Sequence, residues 1–255
     1  MKRLLTALLL APLIVYVAGW APGPVFLIVL TAIALLCHHE YAGIVAAYGI
    51  AKPGPVAYAA GLIVLLTPVD PALGITVIAL VLLGLGMARE DFRMALPAAG
   101  AALLGVIYIF GAWRWAIFLR QKSPYWLLFA LALSWVGDIA AFYVGKNFGR
   151  HKLAPRVSPG KSWEGAVASL AGSMVFGLFY LKYLIPQVAP WQGLLLAGMG
   201  NVAGQIGDLA ESVLKRGAGV KDSGTMLPGH GGWLDRVDST LFALPVVYWL
   251  AALFL

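Results

Sequence analysis

Residues 71–88 read PALGITVIALVLLGLGMA, with Asp70 before them and Arg89 after them. A helix crosses the hydrocarbon core of a bilayer with roughly 20 apolar residues, fewer where the membrane is thin. This uncharged run meets that requirement. The same ruler marks spans near 4–20, 24–50, 55–67, 71–88, 95–112, 125–146, 163–185, 191–215 and 236–255. The expected fold is therefore all-α, a polytopic transmembrane helical bundle of about nine helices. Composition agrees: only 11% of the 255 residues are charged, against about a quarter in soluble domains. Lipid must be much of this chain's solvent.

Three details qualify that frame. Lys2-Arg3 and the apolar run after them resemble a signal peptide, but with many later spans they read as a first, uncleaved transmembrane helix. The second span contains Cys37-His38-His39-Glu40 and is expected to bend or break there. Adjacent histidines point to different sides of a helix, and the zinc-protease spacing is absent, so this run reads as structural. Trp113-Arg114-Trp115 through Arg120 alternates aromatic, basic and apolar residues and is expected to lie in the membrane interface.

The net charge of +7 resides in short loops between apolar runs. That placement suits cytoplasmic anchoring and phosphate binding rather than nucleic acid. With the N-terminus inside, nine spans put fourteen of the eighteen Lys and Arg residues in the cytoplasm. Cys37 is the single cysteine, which excludes an intramolecular disulfide and a cysteine-rich metal site.

Acidic residues divide the chain. Seven of eleven fall between 138 and 238: Asp138, Glu164, Asp208, Glu211, Asp222, Asp235 and Asp238. Residues 1–122 are expected to form a transmembrane scaffold and 123–255 the catalytic region. Asn201, Gln205, Asp208, Glu211, Ser212 and Lys215 recur at three and four residues, along one helical face. Asn201 and Gln205 fit a polar seam between helices as well as a site. Two acids one turn apart repel each other without a cation, so Asp208 and Glu211 point to a metal.

The run Lys215-Arg216-Gly217-Ala218-Gly219-Val220-Lys221-Asp222 then sets cations among glycines, which lets backbone approach phosphate oxygens. Pro228-Gly229-His230-Gly231-Gly232-Trp233-Leu234-Asp235-Arg236-Val237-Asp238 adds a tight turn and two acids on one face of a starting helix. Either acid could instead serve the helix end as a cap or dipole partner. A third cluster joins Gly137-Asp138 to Ser158-Pro159-Gly160-Lys161-Ser162-Trp163-Glu164-Gly165, where Ser162 is placed to cap the seventh span. No Walker-type phosphate loop and no dinucleotide fingerprint is present. Acids, cations and a glycine turn together call for a ligand that is anionic and metal-bound, such as a nucleotide.

At these residues the chain resembles the phosphatidate cytidylyltransferases, or CDP-diacylglycerol synthases. The likeness runs through Ser212 to Arg216, Lys221-Asp222, His230-Gly231-Gly232 and Asp235 to Asp238. It extends to Gly207-Asp208-Leu209, Gly137-Asp138 and Ser158 to Gly165. It covers residues 125–255 closely. Trp233 stands where a smaller apolar residue is usual, and Gly160 where the family tends to have lysine.

The resemblance implies conversion of CTP and phosphatidate to CDP-diacylglycerol and pyrophosphate, with magnesium. It further suggests a bound potassium ion and a homodimer. The expected place is the inner membrane, with the active-site loops in the cytoplasm on the distribution of Lys and Arg. Asp208 and Asp235 are then the expected magnesium ligands, with Asp138, Glu211 and Asp238 as further ligands or their supports. Lys215, Arg216 and Lys221 belong with Asp208 and Asp235 in the catalytic group. Lys161, Ser158, Glu164, Asp222, His230, Gly231, Gly232 and Arg236 are expected at the substrates. Rival readings are a CTP-dependent lipid kinase, a CDP-archaeol-type synthase and, from another class, a cation-coupled transporter.

Overall fold

A computed structural model describes residues 2–255 apart from Val69, Pro228 and His230, with side chains from residue 11 onward. The expectation for His230 falls outside the described residues. The helices are α1 (Lys2–Gly19), α2 (Gly23–Ala47), α3 (Pro55–Leu66), α4 (Pro71–Gly84), α5 (Ala95–Gly105), α6 (Ala112–Lys122), α7 (Pro124–Phe148), α8 (Trp163–Leu184), α9 (Pro190–Gly217) and α10 (Leu234–Phe254). A π-helical turn, Val106–Gly111, joins α5 and α6 into one rod. Described in this way, the rods fall where the nine apolar runs predict. Among the described residues six stretches are long and apolar enough to cross a membrane, from Pro71–Ala88 to the 31-residue Phe92–Lys122. The protein is an all-α, multi-pass membrane protein.

Its surface says the same. Ile28, Leu80, Ile139 and Val167 are each 59% exposed or more. Single exposed apolar residues are ordinary in water, but whole helix faces of them require a lipid solvent. Proline opens α3, α4 and α7 at the first helical position, where its missing N–H removes no helical bond.

The chain divides into two compact units. The first combines Pro22–Arg114 with Leu214–Arg236 and the start of α1. Its helices α3, α4 and α5 meet at Ala57, Ala60, Ile78, Leu82, Ala102 and Val106. Gly61 sits directly under the Phe110 ring, leaving no room for a side chain. The second unit comprises Ala11–Ala21, Trp115–Val213 and Val237–Leu255. Phe129, Leu133, Leu196, Leu241 and Leu244 are fully buried in it.

One expectation changes. The second span does not break: α2 runs uninterrupted through Cys37-His38-His39-Glu40. Its buried acid is satisfied by hydrogen bonds from elsewhere in the first unit, so the helix has no need to open. Residues 113–120 continue the helix from α5. Arg114 Nη1 donates to the carbonyls of Val64 at 2.5 Å and Thr67 at 2.8 Å, at the end of α3. Arg120 likewise donates to Ala18 and Ala21 at the end of α1. Each guanidinium satisfies terminal carbonyls that a helix cannot bond itself.

Candidate functional site

In the first unit the sequence 215–235 folds around a buried ion pair. Lys215 ends α9 and donates from Nζ to Asp235 Oδ1 at 2.5 Å, with the two side chains 10% and 4% exposed. Asp235 Oδ2 accepts the Gly232 N–H at 2.8 Å, and the Ser223 N–H spans both oxygens at 3.2 and 3.0 Å. Gly231 has φ +77°, and a Cβ there would stand 2.6 Å from Asp235 Oδ2. Glycine is therefore required at that position on two counts. At the other end of the loop, the N–H groups of Gly219 and Val220 close on the carbonyls of Arg216 and Lys215, and Gly219 takes φ +73°. That is a glycine-type termination of α9.

Arg216 Nη1 donates to the Val220 carbonyl at 3.2 Å. The side chains of Arg216, Lys221, Asp222 and Arg236 are exposed. The arrangement keeps one lysine buried in a fixed pair and leaves other cations at the surface of the same loop.

Glu40 is a participant that sequence reasoning set aside. Only 4% exposed on α2, it accepts from Trp233 N at 3.0 Å, Leu234 N at 2.8 Å and Ser223 Oγ at 3.0 Å. The signal was an acid within an apolar span, the same signal that singled out Asp208.

In the second unit the segment after α7 folds back as a small antiparallel hairpin of β1 (Lys152–Ala154) and β2 (Ser158–Ser162). Ser158 pairs with Ala154, and Ser162 with Lys152. Ser162 Oγ accepts from Gly165 N at 3.1 Å, capping α8 as its position predicts. Glu164, in the first turn of α8, receives His151 Nδ1 at 2.7 Å and closes the base of the hairpin.

The hairpin presents Lys161, whose Nζ lies 2.5 Å from Asp208 Oδ2 with both side chains about 30% exposed (28% and 32%). Ser212 Oγ donates to Asp208 Oδ1 at 3.4 Å. Gly207 has the Asp238 carbonyl against it, 2.7 Å from where a Cβ would stand. That close approach sets α10 beside α9 at the level of Asp208. Glu211 and Asp238 are buried at 0% and 8% exposure, whereas Asp138 is exposed on α7.

Asn201 and Gln205 belong to a polar seam. Asn201 Nδ2 donates to Ser169 Oγ and Ser173 Oγ, both at 2.9 Å, while Gln205 donates to Asn201 Oδ1 at 2.6 Å and the Ala166 carbonyl at 3.2 Å. Ser169 and Ser173 lie on α8, so the network ties α8 to α9. Gly137 of α7 leaves room for it.

The predicted acids thus sort by unit: Asp235 in the first, Asp138, Asp208, Glu211 and Asp238 in the second. Among the described residues no three His, Cys, Asp or Glu side chains converge as a ready-made metal cluster. The donor chemistry nevertheless suits magnesium, which takes carboxylate oxygens together with water and substrate phosphates rather than an all-protein cage. Asp208 fits best, being part-exposed and held by one lysine and one hydroxyl.

The Cytidylyltransferase family model matches residues 1–254. The chain belongs to that family. Among its relatives, the phosphatidate cytidylyltransferase of Bacillus subtilis strain 168 is 42% identical over 160 residues, 61% of this chain and 59% of that protein. That of Staphylococcus saprophyticus is 37% identical over 155 residues, covering 61% and 60%. That of Brucella suis is 42% identical over 161 residues, covering 62% and 57%. The match spans about three fifths of the length of these relatives.

Proposed function

We propose that this member of the cytidylyltransferase family transfers the cytidylyl group of CTP to phosphatidate, releasing pyrophosphate and forming CDP-diacylglycerol. The observation that carries the proposal is the buried Lys215–Asp235 pair inside a glycine-bounded loop with exposed cations. The name of these relatives, phosphatidate cytidylyltransferase, supports the choice of substrates. A phosphate oxygen of the lipid attacks the α-phosphorus of CTP. One phosphorus–oxygen bond forms as the bond to the pyrophosphate leaving group breaks.

The lipid phosphate is largely ionised at neutral pH, so the step needs no strong base. It needs two anions held in line. Magnesium, when bound, supplies charge neutralisation at the α-phosphate and the leaving group. Asp208 in the second unit and Asp235 in the first would be its candidate ligands, with Asp138, Glu211 and Asp238 as further ligands or supports. Lys161 in the second unit would bind phosphate, as would Lys215, Arg216, Lys221 and Arg236 in the first, where the backbone turn at Gly231 and Gly232 lies. Ser158 and Glu164 shape the hairpin that offers Lys161, while Asp222 flanks the cations. A homodimer in the inner membrane, with these loops toward the cytoplasm and a potassium ion beside magnesium, completes the proposal.

The test uses purified protein, phosphatidate and CTP labelled at either phosphate. Label from the α-phosphate should enter the lipid with magnesium. Transfer of γ-label alone means a lipid kinase and overturns the proposal. An ether-lipid phosphate accepted in preference to phosphatidate assigns an archaeol-type substrate instead.

A further inference from the structure

We infer that Glu40, on α2 in the N-terminal half of the chain, is a positioning residue for the phosphate-binding loop. The first N–H groups of a helix have no partner within it, and negative charge beside them is favourable. At the start of α10 the Trp233 and Leu234 N–H groups are satisfied by Glu40 Oε1 and Oε2, across 193 and 194 residues of sequence.

The same carboxylate reaches into the loop. Ser223 Oγ donates to Glu40 Oε2 at 3.0 Å and accepts the Asp235 N–H at 3.3 Å, while the Ser223 N–H holds both Asp235 oxygens. Asp235 in turn fixes Lys215. A continuous set of hydrogen bonds therefore runs from Glu40 through Ser223 and Asp235 to Lys215. The loop's glycines are cut to this carboxylate: a Cβ on Gly224 would stand 2.6 Å from Glu40 Oε1, and one on Gly232 would fall on Oε2. A buried acid that only filled space would not need three directed donors and two side-chain-free neighbours. Glu40 touches none of the cations assigned to phosphate; it packs against Gly232 and acts through Ser223 and the start of α10.

This role rests on the cytidylyltransferase reading only for its kinetic consequence, so the test has two arms. Full-length wild type, Glu40→Gln and Glu40→Ala are compared in nanodiscs by amide hydrogen exchange and by CTP kinetics. Glutamine keeps one acceptor oxygen and alanine none. Exchange across 222–235 should accelerate in the order wild type, glutamine, alanine, about tenfold for alanine. Protection of α3 and α4 should stay unchanged. KM for CTP should rise about tenfold in Glu40→Ala with kcat within about threefold, the pattern of lost binding common to ground and transition states.

Unchanged exchange across 222–235 in the folded alanine variant overturns the inference, as does acceleration spread evenly through α2 to α5. If alanine prevents folding, the glutamine variant decides by the same two criteria. Should even wild type form no CDP-lipid, the activity proposal falls and the exchange arm alone decides Glu40.

Discussion

Asp208 and Asp235 each face a lysine, but their surroundings differ enough to predict different failures. The Lys215–Asp235 pair is nearly dry. Removing one partner of a buried pair strands the other charge, at about 3–5 kcal/mol. Lys215→Met should therefore lower thermal stability sharply in detergent as well as abolish CDP-lipid formation. A melting temperature equal to wild type would show that Asp235 finds another partner. The Lys161–Asp208 pair is about 30% exposed, and a pair so wetted contributes at most about 1 kcal/mol. Asp208→Asn should accordingly leave melting within a few degrees while cutting magnesium-dependent turnover by about a hundredfold or more. Normal turnover in that variant would remove Asp208 from the metal assignment. Both aspartates were legible in the sequence as candidates, Asp208 because an acid is costly in an apolar helix and Asp235 because it follows a glycine turn at a helix start. Their partners were not, since nothing in the spacing pairs Lys161 with a residue 47 positions away.

Among the elements, the apolar rods were legible for a simple reason: lipid demands that a spanning segment satisfy its own backbone, so hydropathy and helix coincide. Errors arose where polar side chains serve a neighbouring rod. Glu40 suggested a break in α2, yet it serves the start of α10, and Arg114 and Arg120 bond the last carbonyls of α3 and α1. The hairpin of β1 and β2 escaped notice because Lys152–Ala154 is too short for an alternating pattern. Asn201 and Gln205 were ambiguous from sequence, and their bonds to Ser169, Ser173 and Ala166 assign them to the α8–α9 seam. Intramembrane hydrogen bonds of this kind average about 0.6 kcal/mol. Asn201→Leu should thus cost about 1 kcal/mol and retain at least half of the wild-type kcat. A loss as deep as that of Asp208→Asn would move Asn201 from the seam into the site. At the head of α8, Ser162→Ala removes the cap and should cost about 1 kcal/mol in a thermal or denaturant melt.

Over the whole molecule, charge and contacts group the residues by different criteria. Charge distribution suggests a scaffold of 1–122 and a catalytic region of 123–255. Contacts group Leu214–Arg236 with Pro22–Arg114 in one compact unit, among them the bonds of Glu40 and of Tyr48, whose hydroxyl donates to the Leu214 carbonyl at 2.9 Å. Contacts so distant in sequence leave no periodicity to read. They do yield a test at this scale. Lys122 ends α6 and Ser123 caps α7, so a break between them severs no rod. Residues 123–255 expressed alone retain every acid and cation assigned to the substrates, but lose Glu40 and Tyr48. The C-terminal fragment should insert in membranes yet form no CDP-diacylglycerol. Co-expression with 1–122 should restore formation, since the missing contacts are hydrogen bonds and packing that do not require a continuous chain. Co-expression with a 1–122 fragment carrying Glu40→Ala should restore less at limiting CTP. Full activity from 123–255 alone would mean that the loop of residues 215–235 organises itself, leaving the N-terminal helices a role in anchoring only.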